Sequence, residues 1–315
     1  MKLEVRYLSL FRQNKDVIAM GIVDYGVTEP ARLGQTRLPD GRRLGWAEWG
    51  PANGAVVLLC PGAATSRWLG FGGGILDEAA IRLVSVDRPG LGSSDPDPAR
   101  TLASWATDIE HFAWTRALHP LAVVGFSQGA PFALACAAAG IVTAAAVVSG
   151  TDELAHPQFA YALHPQVHAM VDAVNSDPDR AMACFAGLAS SDVLAELIIK
   201  VSPETDRVVY TAPIFQRAWR RAMQEAFVQG PAGYARDTVL TMSRWPFDPA
   251  NICVPVDLWY GQRDSSPGHS PDLGSFLAQR IRTAHRHVVP DAAGALLWTH
   301  TDAILGCLLR HWSTS

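Results

Sequence analysis

The stretch Gly125-Phe126-Ser127-Gln128-Gly129 is the part of this chain best suited to chemistry. It follows the apolar run Leu121–Val124 and opens an alanine-rich segment, Gln128–Ala139. A serine at a sharp turn from strand to helix carries its hydroxyl above the sheet, near the positive end of the helix. The small residues Gly125 and Gly129 let the helix cross close behind the strand. The amide of Gln128 then points to where a negative oxygen would develop on an attacked carbonyl. The chemistry implied is nucleophilic attack by Ser127. A serine hydroxyl is a weak nucleophile near neutral pH, so a base must take its proton.

Such a serine needs a sheet beneath it, and the chain supplies one. Gln35–Pro39 and Arg43–Trp49 flank the turn Pro39-Asp40-Gly41 and predict a hairpin. Short apolar runs follow at Ala55–Cys60, Ile81–Val86, Leu121–Val124, Ala144–Val148, Val254–Tyr260 and His285–Val289. Each ends in glycine or polar turn residues, as strands buried on both faces do. Helical segments separate them at Leu102–Leu118, Gln128–Ala139, Asp272–Thr283 and Thr301–Trp312. Strand alternating with helix predicts an α/β fold, a mostly parallel sheet flanked by helices. Between Gly150 and Val254 the strand pattern gives way to helical patterning, for example at Gln166–Val174, Asp192–Lys200 and Ile214–Val228. The expected organisation is an N-terminal arm over residues 1–33, a core over 34–150, an inserted helical cap over 151–250 and the rest of the core over 251–315.

Composition narrows the function. Hydrophobic residues make up 49% of the chain and charged residues 18%, a globular balance. The net charge of −4 and the lack of a basic stripe argue against a nucleic-acid partner. Residues 1–15 carry scattered charges and lack the apolar core of a signal peptide. Ala133–Val148, the most apolar stretch, is broken by Gly140, so no membrane span is expected. The five cysteines (Cys60, Cys136, Cys184, Cys253 and Cys307) have apolar neighbours and no metal-ligand spacing. They are expected to be reduced and buried in a cytoplasmic protein, with no structural zinc and no other metal. No cofactor is expected, and the partner is a small-molecule substrate. The oligomeric state is not legible.

Together with the serine turn, three further stretches resemble the α/β-hydrolase superfamily, in its esterase- and peptidase-like branch, over about residues 35–313. Pro61-Gly62-Ala63-Ala64 is similar to the glycine turn that supplies a second oxyanion amide, with Pro61 where a histidine is usual. The resemblance makes Ala63 the donor beside Gln128. Asp87-Arg88-Pro89-Gly90-Leu91-Gly92-Ser93-Ser94 resembles a turn common in that branch, with Asp87 and Arg88 expected to pin the loop. Tyr260-Gly261-Gln262-Arg263-Asp264 is similar to the strand end that carries the triad acid, which implies that role for Asp264.

The sequence departs from the family at the histidine. Relatives place it as Gly-His after the last strand, whereas this chain reads Asp291-Ala292-Ala293-Gly294-Ala295-Leu296. Gly294-Ala295 is what one replacement of Gly-His would leave, natural or engineered. His269, in the loop after Asp264, is the leading substitute as base, and His300 is the alternative. His156, His164 and His168 lie in the predicted cap.

The cap is expected to roof an apolar pocket. Trp68, Phe71, Phe159 and Trp219 are the substrate-binding candidates, with Tyr161, Phe185, Tyr210, Phe215, Phe227 and Tyr234 as further aromatics of the lining or of the cap's own core. Asp152 and Glu153 are expected to cap the next helix. The implied function is a serine hydrolase or acyl-transfer enzyme acting on a small, largely apolar ester, thioester or lactone. A non-catalytic ligand-binding member of the fold and a non-hydrolytic cyclase or lyase are the alternatives. Serine at the turn disfavours aspartate-nucleophile dehalogenases and epoxide hydrolases.

Overall fold

A computed structural model describes residues 23–312. Residues 1–22 of the expected N-terminal arm lie outside it. Of the remainder, Val27 is buried and Trp49 Nε1 donates to the Thr28 carbonyl at 3.0 Å. The first strand begins at Arg32, within the expected arm.

Eight strands form one sheet: β1 (Arg32–Arg37), β2 (Arg43–Trp49), β3 (Ala55–Cys60), β4 (Ile81–Val86), β5 (Leu121–Phe126), β6 (Ala144–Val148), β7 (Val256–Gly261) and β8 (Ala284–Val289). Their order is β1-β2-β4-β3-β5-β6-β7-β8. β1 and β2 pair antiparallel, as do β2 and β4, and every other neighbour is parallel. The central strands read as continuous apolar runs because both faces are covered. All six residues of β5 and all five of β6 are buried.

Helices α1 (Gly73–Glu78), α2 (Leu102–Thr115) and α3 (Ala130–Ala138) come from the first half of the chain. Between β6 and β7 lie α4 (Pro165–Ser176), α5 (Pro178–Leu188), α6 (Ser191–Val201), α7 (Glu204–Thr211), α8 (Pro213–Ala226) and α9 (Ala232–Met242). α10 (Ser275–Arg280), α11 (Leu296–Thr299) and α12 (Thr301–Trp312) complete the chain. One core layer packs Trp105, Ile109 and Phe112 of α2 with Phe132 of α3. The layer on the other side holds Ile304, Leu305 and Leu308 of α12, and also Tyr210, Phe215 and Trp219 from the helices between β6 and β7.

Two sequence expectations change here. The helix expected over Asp272–Thr283 shrinks to α10, because residues 262–274 form a long loop whose backbone turns through positive φ at Leu273 and Gly274. Cys60, Cys136 and Cys307 are buried as expected, but Cys184 and Cys253 are exposed, and all five are free thiols. Their apolar sequence neighbours face inward from a surface helix and a loop, so local composition misreported their burial. Among the described residues no single helix is long and apolar enough to cross a membrane.

Candidate active site

Ser127 stands at the end of β5, in a short 3-10 turn that runs into α3. Its φ is +49°, a left-handed conformation that costs a non-glycine residue energy and persists only where the surroundings impose it. The two glycines show what imposes it. A Cβ at Gly125 would lie 2.7 Å from Ala133 Cβ, and one at Gly129 would lie 2.0 Å from the Cys60 carbonyl oxygen. Any side chain at either place would push α3 off the sheet and lower the turn.

His269 lies against Ser127, its Nε2 2.9 Å from Oγ. Its Nδ1 is 2.7 Å from Asp264 Oδ2, and Asp264 Oδ1 accepts from the Ser266 amide at 3.0 Å. The loop after β7 therefore carries both the carboxylate and the imidazole. The end of β6 holds that loop in place. Thr151 Oγ1 donates to the Gly268 carbonyl at 2.8 Å, and the Ser270 amide donates to the Gly150 carbonyl at 3.0 Å. Burial pulls the His269 imidazole down, but the charge and hydrogen bond of Asp264, aided by the charge of Asp206, leave it above its ordinary value.

The stretch that lacks Gly-His lies against the His269 imidazole. A Cβ at Gly294 would meet His269 Cε1 at 3.2 Å and Asp264 Oδ1 at 3.4 Å. The imidazole of His269 thus fills the space beside residue 294, and glycine leaves room for it. His300 is not at the site. Its Nδ1 is 2.9 Å from Thr299 Oγ1, and the last turns of chain carry it away from the cavity around Ser127. His156 and His164 accept the amides of Gln158 and Gln166 at the starts of helical turns, and His168 pairs with Asp172.

Ala63 and Gln128 line the same cavity as Ser127. Gln128 is in the first turn of a helical segment, where amides lack intrahelical partners. The Pro61-Gly62-Ala63 turn is held from behind by Arg88, fully buried, which donates to the Pro61 carbonyl at 2.6 Å and the Gly62 carbonyl at 3.0 Å. Arg88 Nε also meets Asp237 Oδ2 of α9 at 2.6 Å, and Arg100 meets the other oxygen of that carboxylate. Asp87 accepts from the amides of Arg67 and Ser93 and pairs with the Arg67 guanidinium. Asp87 thus pins its own loop as expected, whereas Arg88 fastens the neighbouring Pro61-Gly62 turn instead.

A cavity of about 210 Å³ opens over Ser127 and His269. Its walls are largely apolar, with Trp219, Tyr210 and Trp298 on one side and Met170 on another. Of the four substrate-binding candidates only Trp219 lines it. Trp68 lies outside, stacked under the Arg221 guanidinium at 3.6 Å. Phe71 is buried in the core behind the cavity, and Phe159 packs edge-on against Phe276. Among the other aromatics Tyr210 and Tyr234 line it, Phe215 is core and Tyr161 is fully exposed. Sequence placed these side chains on the right segments but could not tell which helix face points inward.

Asp206 and Thr151 escaped the sequence reading, and Asp152 was given a different role there. Asp206 of α7 lines the cavity and accepts the amides of Gly294 at 2.8 Å and Ala295 at 3.0 Å. Burial pushes its carboxyl up, against the pull of those amides. Thr151 ties down the His269 loop. Asp152 does so as well, with Oδ2 3.1 Å from Ser270 Oγ, and burial pushes its carboxyl to about 7. Neither Asp152 nor Glu153 caps a helix as expected, since the next helical turn starts only at Pro157. Glu153 instead binds Arg244 at 2.9 Å, Arg280 and the Trp245 amide, tying the helices to the core. No local pattern could have shown contacts spanning so much chain.

The sequence matches the model of the Alpha/beta hydrolase family over residues 57–306. Comparison with curated proteins by sequence returns no match. Solved structures similar to this one include an esterase from Rhodococcus sp. ECU1013, at 19% identity and a TM-score of 0.64, covering 88% of this chain and 98% of that one. The enol-lactonase from Burkholderia xenovorans LB400 is similar at 18% identity and a TM-score of 0.63, covering 89% of this chain and 100% of that one. A bromoperoxidase from Bacillus anthracis is similar at 16% identity and a TM-score of 0.66, covering 90% and 100%. At such identities these likenesses speak to the fold, and the family match spans most of the sequence. The chain belongs to the alpha/beta hydrolase family.

Proposed function

We propose that this protein is a serine hydrolase acting on a small, largely apolar ester, thioester or lactone. The observation that carries the reading is the unbroken line from Ser127 Oγ through His269 to Asp264, at 2.9 and 2.7 Å. Ser127 attacks the carbonyl carbon while His269 Nε2 takes its proton. The amides of Gln128 and Ala63 hold the oxygen that becomes negative. Asp264 orients the imidazole and stabilises its cationic form. Collapse of the intermediate breaks the bond to the alcohol or thiol, which leaves with the proton from His269. An acyl group then remains on Ser127. Water attacks it while His269 takes the water proton; collapse then breaks the bond to Ser127 Oγ, which takes the proton back from His269, and the acid is released. Transfer to another hydroxyl in place of water is the acyl-transfer version of the same scheme. The helices between β6 and β7 act as a cap that shapes the substrate site, with Trp219 on its wall. Free thiols, two of them exposed, suit a reducing compartment such as the cytoplasm.

The non-catalytic reading drew its force from the missing Gly-His, and an imidazole beside Ser127 weighs against it. A fluorophosphonate probe is expected to label wild-type protein and not Ser127→Ala. A panel of short-chain aryl esters is expected to be turned over. No labelling of folded protein together with no turnover would overturn the proposal. Hydrolysis in oxygen-18 water separates it from cyclase or lyase chemistry, since only hydrolysis puts solvent oxygen into the acid product.

A further inference from the structure

Toward the start of β7, on the sheet face that α12 covers, three elements converge on a second cluster of reactive side chains. Asp257 comes from β7, His287 from β8, and Cys307 and His311 from successive turns of α12. One ligand atom from each of Asp257, His287 and Cys307 lies within 4.8 Å of the other two. Asp257 Oδ1 is 2.8 Å from His287 Nε2, and Asp257 Oδ2 is 3.0 Å from His311 Nε2. The Asp257 side chain is only 4% exposed, so its charge is held almost entirely by protein groups. The His287 ring stacks on Trp259, with centroids 4.0 Å apart and planes 13° apart, which fixes its orientation.

We infer that Asp257, His287 and Cys307 form a binding site for a divalent zinc ion. The donors are one carboxylate, one imidazole and one thiolate. That set suits zinc, which accepts all three in tetrahedral geometry, better than magnesium or calcium, which take oxygen ligands. A carboxylate and a thiolate together balance the charge of the ion. His311, on the second oxygen of Asp257, acts as an outer partner that orients the carboxylate, as such partners commonly do around metals. The fourth position falls to water. On binding, the Cys307 thiol releases its proton to solvent, and His287 binds through a neutral ring nitrogen. Arg310 now donates to Cys307 Sγ at 2.7 Å, and as an exposed side chain it can swing aside. The sequence reading expected no metal because the ligands are scattered between residues 257 and 307, with no short spacing to announce them. The site is structural, at the far end of β7 from Asp264, and joins the last two strands to the C-terminal helix.

Metal-free protein, prepared by dialysis against a chelator, is to be titrated with zinc in competition with a chromophoric chelator, and with cobalt as a spectroscopic probe. Stoichiometric zinc binding is expected, weakened about tenfold or more in Cys307→Ser and His287→Ala. Cobalt should give a near-ultraviolet thiolate charge-transfer band in wild type and in Cys253→Ser, the exposed-thiol control, but not in Cys307→Ser. Zinc should raise the melting temperature of wild type more than that of either ligand variant at the same concentration. Should Cys307→Ser fail to fold, His287→Ala on the edge strand still provides the comparison. Sub-stoichiometric binding, equal affinity in wild type and His287→Ala, or a cobalt spectrum without the thiolate band would each overturn the site. The cluster would then be a hydrogen-bonded network only.

Discussion

His269 reaches Ser127 from the loop that also carries Asp264, so the base can be tested one residue at a time. His269→Ala and Ser127→Ala should each lower kcat by roughly 10³-fold or more, while His300→Ala leaves it within experimental scatter. Steady-state kinetics on one aryl ester checks all three. Asp206 acts on the proposed base through its charge. Its negative charge favours imidazolium, which cannot accept the serine proton. The acid limb of kcat/KM should therefore stand above the ordinary histidine value, with activity falling as pH drops through it. Asp206→Asn should move that limb to lower pH, and a pH–rate profile of the variant provides the check. An unmoved limb would mean that residue 206 only fastens the Gly294 turn.

Asp152 gives a second pH dependence, of stability. Its carboxyl rises from an ordinary 3.8 to about 7 in the folded state. The folded state then holds a proton that the unfolded state has released. Its contribution is fully present below pH 3.8 and is lost as pH rises to about 7. Acting alone, the effect has an upper bound of about 4 kcal/mol, since each pH unit across that window is worth about 1.36 kcal/mol. Denaturant titrations across the window should show Asp152→Asn gaining on wild type as pH rises. A neutral Asp152 also fits its neighbours. Ser270 Oγ lies 3.1 Å from Asp152 Oδ2 and 3.0 Å from Asp272 Oδ1, and its single proton can serve only one of them.

At the scale of elements, α9 is fastened to the Pro61-Gly62-Ala63 turn through charge. Arg88 and Arg100 share Asp237, and all three side chains are fully buried. Removing the carboxylate leaves two buried guanidinium groups uncompensated. Asp237→Ala should cost about 3–5 kcal/mol in a denaturant titration, far more than the loss of an exposed pair such as Arg263–Asp291. The sheet was legible in the sequence, since β2, β3, β4, β6 and β8 match the expected strands to within a residue, although β8, at the edge, has no buried residue where burial on both faces was expected. The continuous apolar runs of β3, β4 and β6 did report burial on two faces. The loop over residues 262–274 was not legible, because Asp272–Thr283 has a helical pattern that tertiary contacts to Gly150 and Asp152 override at its start. The elbow was legible for a local reason, since Gly125 and Gly129 answer to atoms a few residues away or on the adjoining β3. The identity of the base was only half legible. Position after Asp264 ranked His269 first, but its approach depends on Thr151 and Ser270 contacts that no short window contains.

Across the whole molecule, the helices between β6 and β7 meet the core through buried charges as well as apolar contact. Asp206 binds the turn before α11, Asp237 binds Arg88, and Glu153 binds Arg244 and Arg280. The helices that line the cavity are therefore tied to the core at several separate places. The aromatics of these helices were countable in the sequence, but whether each faced the cavity, the core or solvent depended on helix rotation that only the packed structure fixes.

Placing acid and base on one loop changes what the rest of the fold must do. When the two come from different strand ends, their spacing depends on how two strands sit against each other, and drift between those strands misaligns the proton path. Here Asp264 and His269 move together, and their separation is set within a single short piece of chain. β8, the last strand of the sheet, is relieved of any part in proton transfer. In the turn that follows it, Gly294 and Ala295 are held by Asp206 and crowded by His269, but Leu297 lines the cavity, and changes at Leu297 should alter which esters are accepted while leaving the acid limb of the rate profile where it is.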